Sequence, residues 1–334
     1  MSDLSIAVVG SGANGASIGA DLIEAGHDVT LVEQWPAHVE AMRSDGLTIL
    51  MPDRELSLRP KAIHLCEVAE LRHPFDVVLI VMKAYDTRWA AELIAPAVGS
   101  RGLVAAVQNG MTTDAVAAAV GADRTVGTVI EVSSTMEEPG VVHRHTPPER
   151  SWFAVAASPR ADHVAGLLAA SGTVARFDDI ASAKWMKLVS NCSVLVTTAA
   201  LGLPMADAIA VPGMRDVMVR AGQEALDVGR ARGHTPLPIF GLTEDDLADE
   251  SAIVSTMLDT LYERFVVPAA TTTVLQDWRK GRRSEAGDLN GLVASEGARL
   301  GVPTPVSDAL VDLARRIERG EIAPEPANAA PLVG

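Results

Sequence analysis

The stretch Leu4-Ser-Ile-Ala-Val-Val-Gly-Ser-Gly-Ala-Asn-Gly15 decides how the rest of this 334-residue chain is read. Ile6 to Val9 form an apolar, mostly β-branched run with no polar alternation. That is the pattern of a strand buried on both faces of a parallel sheet. Three glycines follow at once, Gly10, Gly12 and Gly15, in the spacing G-x-G-x-x-G, and Ala16 to Ala25 then read as a helix stopped by Gly26. In such a turn the first glycine permits the bend, the second lets backbone approach a pyrophosphate, and the third lets the helix lie close on the sheet. Free N–H groups at the helix start would hold the anion. A bare βα turn can need such glycines with no ligand present. The second strand, Asp28 to Glu33, adds an acid about 20 residues beyond the loop, where it would accept hydrogen bonds from the adenosine ribose. Together they point to a dinucleotide cradled by Gly10, Ser11, Gly12, Ala13, Asn14 and Gly15, with Glu33 on the ribose.

Further apolar strands extend the pattern at Asp76 to Met82 and Leu103 to Val107, with a helix from Thr87 to Val98 between them. Alternation of strand and helix is the signature of a doubly wound sheet, whose ligands bind beyond the carboxyl ends of its strands. Lys83 and Asn109 each stand just past such an end and are therefore site candidates. Pro36 to Arg43 reads as a short helix, and Leu47 to Leu58 as paired strands turning at Pro52-Asp53. From Arg124 to Ala157 valine-rich alternation predicts antiparallel strands completing the sheet. His143 and His145 share a face there, but no nearby carboxylate or thiol cluster makes a metal site of them. A helix from His163 to Ser171 and a strand from Val174 to Phe177 close a first domain at 1–178.

Past Asp178 helical periodicity takes over, clearest in Met214 to Arg232, Ala252 to Phe265 and Glu285 to Leu300. Residues 179–322 thus read as an all-helical second domain, and 323–334, rich in Pro and Ala, as a flexible tail. On the helix Ala183 to Thr198, Trp185, Val189, Cys192 and Val196 make one stripe; Lys187, Asn191, Val194 and Thr198 make another. A lysine and an asparagine one turn apart among apolar residues suggest a cleft wall, and a lysine near apolar walls is a usual proton donor. Cys192 falls on the packing stripe. The acidic run Glu244 to Glu250 reads as a solvated helix start rather than a metal site, so no metal is expected.

The formal net charge of −15 excludes nucleic acid and anionic membrane as expected partners, and no apolar run approaches the roughly 20 residues of a bilayer span. Two cysteines make no disulfide framework, which together with the short run into the first strand predicts a cytoplasmic protein without a signal peptide. The partners expected are a small-molecule substrate and, as the alternative to a monomer, a second copy of the chain in a homodimer.

The whole set of motifs resembles the ketopantoate reductase (2-dehydropantoate 2-reductase) family over nearly the full length. The resemblance rests on the glycine loop, Lys83-Ala, Gln108-Asn109-Gly110, Trp185-x-Lys187-x-x-x-Asn191-Cys192, Leu275-Gln276-Asp277, Gly281-Arg282, and Glu285 five residues before Asn290-Gly291. It implies an α/β N-terminal Rossmann dinucleotide-binding domain followed by an all-α C-terminal domain. It further implies a nicotinamide-dependent oxidoreductase that moves a hydride between NAD(P)H and a 2-oxoacid or 2-hydroxyacid. By the same resemblance Lys187 protonates the carbonyl oxygen, Asn109 lies near cofactor and substrate, Asn191 and Glu285 bind substrate, and Thr273 stands where the family usually has a substrate-binding serine.

Departures from the family pattern bear on specificity. Leu195 and Met205 replace asparagines common in pantoate-forming members, and Gly287 replaces an Asp. Glu33 stands where NADPH-using members tend to carry a basic or neutral residue, so NAD is favoured over NADP. The alternatives to a ketopantoate reductase-like enzyme are a dehydrogenase of a less polar hydroxy compound and a non-catalytic dinucleotide-binding sensor.

Overall fold

The computed structural model describes residues 4–333; the first three residues, to which the expected lack of a signal peptide refers, and Gly334 lie outside the described residues. The chain divides into two compact units between Ile180 and Ala181, two residues beyond the boundary expected from the sequence.

In the first unit the order is β1 (Ser5–Val9), α1 (Ala13–Glu24), β2 (Asp28–Glu33), α2 (Pro36–Ser44), β3 (Leu47–Leu50), β4 (Glu55–Leu58), β5 (Lys61–His64), β6 (Phe75–Ile80), α3 (Thr87–Ile94) and β7 (Val98–Ala106). Then come α4 (Thr113–Val120), β8 (Thr125–Glu131), β9 (Ser134–Glu138), β10 (Val141–Arg144), β11 (Trp152–Ala156), α5 (Ala161–Leu168) and β12 (Thr173–Phe177). The main sheet has eight strands in the order β12-β11-β8-β7-β6-β1-β2-β5. Its pairs are parallel except β8 with β11. The unbroken apolar run of β1 has a direct cause in the two faces it serves. Ile6 and Val8 belong to the core on one side of the sheet, Ala7 and Val9 to the core on the other, and all four are fully buried. Burying each of the larger ones contributes about 1.5–3 kcal/mol.

The strands from 124 to 157 do not all complete that sheet, as the alternation had suggested. β8 and β11 do, but β9 and β10 leave it to form a second sheet, β4-β3-β10-β9. The hairpin glycine Gly140 directs them there, since Thr48 donates its N–H to the Gly140 carbonyl at 2.8 Å. Period-two alternation marks a strand but not its partner. This small sheet packs on α1 and is locked to it by a buried ion pair. Arg144 faces the Asp21 carboxylate of α1 while donating to the carbonyls of Thr146 and Ser171 and to the Ser151 hydroxyl. A buried charge is tolerated when it is paired and hydrogen-bonded in this way. His143 is exposed on β10, whereas His145 lies past its end and pairs through Nε2 with the Thr135 hydroxyl at 3.1 Å.

The second unit is helical: α6 (Ile180–Ala199), α7 (Met205–Ala210), α8 (Met214–Ala231), α9 (Ile253–Arg264), α10 (Thr273–Arg279), α11 (Asn290–Leu300), α12 (Pro305–Glu318) and α13 (Ala330–Val333). Along α6 nearly every side chain from Ser182 to Ala199 is buried, as befits a helix without a polar face. α8 reaches it through Gly222 and Gly229, seven residues or about two turns apart. A Cβ at Gly222 would lie 2.2 Å from Ser193 Oγ, and one at Gly229 2.1 Å from Trp185 Nε1. That indole donates instead to the Ala225 carbonyl at 2.8 Å. Glu224 of α8 accepts the N–H groups of Val306 and Ser307 at 2.7 and 2.8 Å and so caps α12.

Two expectations are corrected here. The helix expected from Glu285 begins at Asn290, because the preceding residues are drawn into a turn by Glu318, which accepts both the N–H (3.0 Å) and hydroxyl (2.6 Å) of Ser284. The segment 323–334, expected as a flexible tail, is ordered through its described residues. Asn328 donates to the carbonyls of Ala200 and Ala323, Arg220 donates to that of Leu332, and the Leu332 side chain is buried. Its small residues and prolines lower the cost of ordering such a segment.

At the loop between β1 and α1 the glycines divide their tasks. Gly10 has φ 90°, and a Cβ there would meet Met82 Cγ at 2.3 Å; one at Gly15 would meet the Gly10 carbonyl oxygen at 2.0 Å. These two are required by the fold itself. Gly12, at φ −64°, would meet nothing within 4 Å. Gly12→Ala should therefore keep the wild-type melting temperature, with a stability change within about 0.5 kcal/mol. Its dinucleotide dissociation constant, read by calorimetry, should rise roughly tenfold or more, since about 1.4 kcal/mol of lost approach suffices. Gly15→Ala should lose about 1–3 kcal/mol of stability instead. Undiminished binding by Gly12→Ala would show that the open face of this loop is not where the phosphates lie.

Candidate active site

The candidates for holding a dinucleotide lie in the first unit. The strand order of the main sheet reverses at β1, and the glycine loop, Glu33, Lys83 and Asn109 all lie at or just past carboxyl ends of neighbouring strands around that point. The N-terminus of α1 has no side-chain cap, so its first N–H groups are left to a ligand or water. Gly12, Ala13 and Asn14 are half-buried there, and Asn14 Oδ1 is buried with no protein partner. An uncapped helix start and open space over Gly12 fit a dinucleotide pyrophosphate.

Neighbouring groups hold this rim in place. His38 is buried; it receives the Gly140 N–H on Nδ1 at 2.9 Å, so its own proton is assigned to Nε2, which donates to the Ser11 carbonyl at 3.0 Å. Burial lowers its pKa, in keeping with a neutral ring that both receives and donates. Gln108 is buried between two strand ends, donating to the Met82 carbonyl at 2.7 Å and contacting Thr87, and thereby sets the turns that carry Lys83 and Asn109. Glu33 is buried at the end of β2, where one carboxylate oxygen accepts the Trp35 N–H at 2.9 Å. Arg43, the nearest basic side chain in sequence, is committed to Glu67, Glu40 and the Ala62 carbonyl.

The second unit carries the remaining candidates, and α6 is their common support. Lys187 is 7% exposed and Asn191 2%, so the stripe read from the helical wheel faces protein rather than open water. Several segments come to it. Thr272, the N-cap of α10, donates to the Leu195 carbonyl at 3.1 Å and fixes the adjacent Thr273. Thr273 Oγ1 is itself buried with no protein partner. Asn290 donates to the Cys192 carbonyl at 3.3 Å, beside Asn191, and anchors the turn containing Glu285. Glu285 is buried, with its carbonyl accepting the N–H groups of Asp288 and Leu289 and the preceding Ser284 held by Glu318. Phe240 presents its ring to Lys187, whose Nζ lies 5.1 Å from the centroid. Cys192 is buried, and burial pushes its thiol up and away from reactivity.

Lys184 was not singled out from the sequence, although it shares the face of Lys187 and Asn191 at i, i+3 and i+7. It is buried, and that burial brings its ammonium down to about 7. Nothing local in the sequence pointed to Phe240 or His38, because a single aromatic in a connecting segment and a lone histidine on a short helix have no periodic pattern. Among the described residues no group of three or more His, Cys, Asp or Glu could hold a metal ion, and no helix is long and apolar enough to cross a membrane.

Comparison with known proteins identifies the family of the chain and its fold. Residues 6–158 match the family described as "Ketopantoate reductase PanE/ApbA", and residues 179–318 match its C-terminal domain. The 2-dehydropantoate 2-reductase of Mesorhizobium japonicum is 28% identical over 95% of this chain and 99% of its own. A crystal structure of a PanE/ApbA family ketopantoate reductase from Ralstonia eutropha superposes with a TM-score of 0.80 at 27% identity, over 95% of this chain and 99% of that one. D-mandelate dehydrogenase, solved with NADH and anilino(oxo)acetate, shares the fold at a TM-score of 0.83 and 18% identity, with 95% and 99% of the two chains covered. With both family domains matched in order across nearly its whole length, the chain belongs to the ketopantoate reductase family and is a nicotinamide-dependent oxidoreductase of that type.

Proposed function

We propose that this enzyme reduces the carbonyl of a small 2-oxoacid with NADH in preference to NADPH, and that Lys187 supplies the proton. The observation that carries the reading is a lysine and an asparagine one turn apart on a buried helix, with the segments bearing Thr273 and Glu285 tied to that same helix. The family relatives named 2-dehydropantoate 2-reductase make 2-dehydropantoate the first compound to assay. Leu195 and Met205, in place of the usual asparagines, favour a less polar 2-oxoacid as the next. An exposed free thiol at Cys66 accords with a reducing compartment such as the cytoplasm.

Bound at the glycine loop, a reduced nicotinamide would supply the hydride that such a carbonyl accepts. The protein's part is to receive the charge that develops on oxygen. Lys187 has only donors and no acceptor, so its ammonium both stabilises the alkoxide and hands over its proton. Exclusion of water around α6 strengthens that interaction. Asn191 offers an amide one turn further along, and the partnerless hydroxyl of Thr273 supplies another hydrogen bond to the substrate. Glu285 acts as an acceptor for the substrate hydroxyl. Asn109 and Lys83 serve the cofactor side.

The preference for NADH follows from Glu33. Its carboxylate accepts hydrogen bonds from both ribose hydroxyls of NAD but would meet a 2′-phosphate with like charge. Two escapes would weaken that repulsion, and the structure argues against each. The bond from the Trp35 N–H keeps Glu33 from swinging into water, and Arg43 is spent on Glu67 and Glu40. At the effective dielectric near a surface the repulsion amounts to a few kcal/mol, each ~1.4 of which is tenfold in affinity.

Lys187→Ala should lower kcat by about 10²–10⁴-fold, the usual worth of a positioned proton donor, with dinucleotide affinity unchanged. Lys184→Ala, measured alongside, separates the two buried lysines: a large loss there with near-full turnover in Lys187→Ala would move the proton to Lys184. For the cofactor, kcat/KM with NADH should exceed that with NADPH in the wild type, and Glu33→Arg should shift the ratio toward NADPH by roughly tenfold or more. A wild-type preference for NADPH, or no shift in the variant, removes Glu33 as the selector.

A further inference from the structure

Among the described residues Phe240 is the only non-glycine with a positive φ, 62°. It is followed by Gly241 at φ 79°, and the turn is closed by the Leu242 N–H donating to the Ile239 carbonyl at 3.1 Å. Two successive left-handed residues in a tight turn normally call for Gly, Asn or Asp. A bulky aromatic is held there only when its surroundings over-determine it, and such outliers gather where geometry serves function. The surroundings are plain in this case. Arg264 donates from Nη1 to the Phe240 carbonyl at 3.2 Å, and its approach depends on the adjacent glycine, since a Cβ at Gly241 would lie 2.7 Å from that nitrogen. On one side the ring leans against Phe265, with centroids 5.4 Å apart and planes at 53°. Over its face lies the Lys187 ammonium, 5.1 Å from the centroid. Phe240 is 1% exposed and Lys187 7%, so the pair meets away from bulk water. Under those conditions the attraction between a cation and the negative face of an aromatic ring is at its strongest.

Filling a core would not require this backbone. Contact with Phe265 alone needs no left-handed backbone, whereas this turn aims the ring at a nitrogen. A lysine stem has four rotatable carbons and would otherwise sample many positions. We infer that Phe240 is a positioning residue for the reaction: its ring face holds the Lys187 ammonium in place for proton donation, and the Arg264-braced turn holds the ring. The inference deepens the function proposed above and rests on Lys187 as the proton donor.

The test replaces Phe240 by phenylalanines carrying one, two and three ring fluorines, which keep the shape while weakening the negative face step by step. With the 2-oxoacid that the wild type reduces fastest, kcat should fall at each step, by about 5–30-fold in total, the fold-change expected for losing a desolvated cation–aromatic contact. The dinucleotide dissociation constant and melting temperature should stay at wild-type values throughout. Phe240→Tyr should retain near-wild-type kcat, and Phe240→Leu should fall as low as the trifluoro protein. A kcat that does not change with fluorination overturns the inference. The fluorinated proteins preserve the packing, so the series decides the matter even if the Phe240→Leu chain fails to fold. Lys187→Ala in the same assay tells the two failures apart. If Lys187→Ala is inactive while the fluorine series is flat, Phe240 alone loses its role. If Lys187→Ala turns over normally, the proton-donor reading falls and the inference with it.

Discussion

The second unit depends on one constraint: α6 is buried over almost its whole length and yet carries two lysines and an asparagine. A helix in that position can keep polar side chains only if other elements are fitted around them. The unit is built accordingly. Glycines on α8 admit Trp185 and Ser193 at close range, Thr272 and Asn290 take up carbonyls of α6, and a strained turn brings an aromatic ring to Lys187. Packing and the proposed chemistry therefore share one element. Substitutions on its Trp185 stripe act through cavities and overpacking, while those on its Lys187 stripe act through charge and hydrogen bonding.

The first unit leaves backbone N–H groups uncapped at the start of α1. Parallel strands buried on both faces end in line, so the segments that follow β1, β2, β6 and β7 gather at one edge of the sheet. Gly10 and Gly15 are needed to make the bend, and Gly12 leaves space above the helix start. Around this edge the supporting groups use up their hydrogen-bonding capacity on one another: His38 spans Ser11 and Gly140, and Gln108 spans the ends of β6 and β7. Glu33 is held in the same manner, its carboxylate accepting the Trp35 N–H.

Much of this architecture was legible in the residues. Continuous apolar runs marked β1, β6 and β7 because both faces of those strands are buried, and the wheel of α6 showed two stripes. Where the reading failed, the deciding contacts were long-range. β9 and β10 are legible as strands, but their choice of β3 over the main sheet depends on a bond between Thr48 and Gly140. The start of α11 moved to Asn290 because Glu318, more than thirty residues further on, takes both donors of Ser284. The closing segment looked disordered by composition, and its order comes from Asn328 donating to the Ala200 carbonyl just past α6 and from Leu332 accepting from Arg220 of α8. In the candidate site, Lys187, Asn191, Thr273 and Glu285 carry a recognisable pattern, whereas Phe240 could be found only from a backbone angle and a distance. Lys184 lies on the same face of the wheel, but position on a helix does not by itself tell a buried lysine from a solvated one.

The claim on which everything else rests is that a hydride passes from a nicotinamide to the carbonyl carbon of a 2-oxoacid held in this protein. It is tested most directly with NADH carrying deuterium at C4, each epimer in turn, and 2-dehydropantoate or the fastest-consumed 2-oxoacid, in ordinary water. The account predicts that one epimer places a single deuterium on C2 of the 2-hydroxyacid, seen by mass spectrometry and by loss of the C2 proton resonance, while the other places none. A hydroxyacid product free of deuterium from both epimers would contradict it.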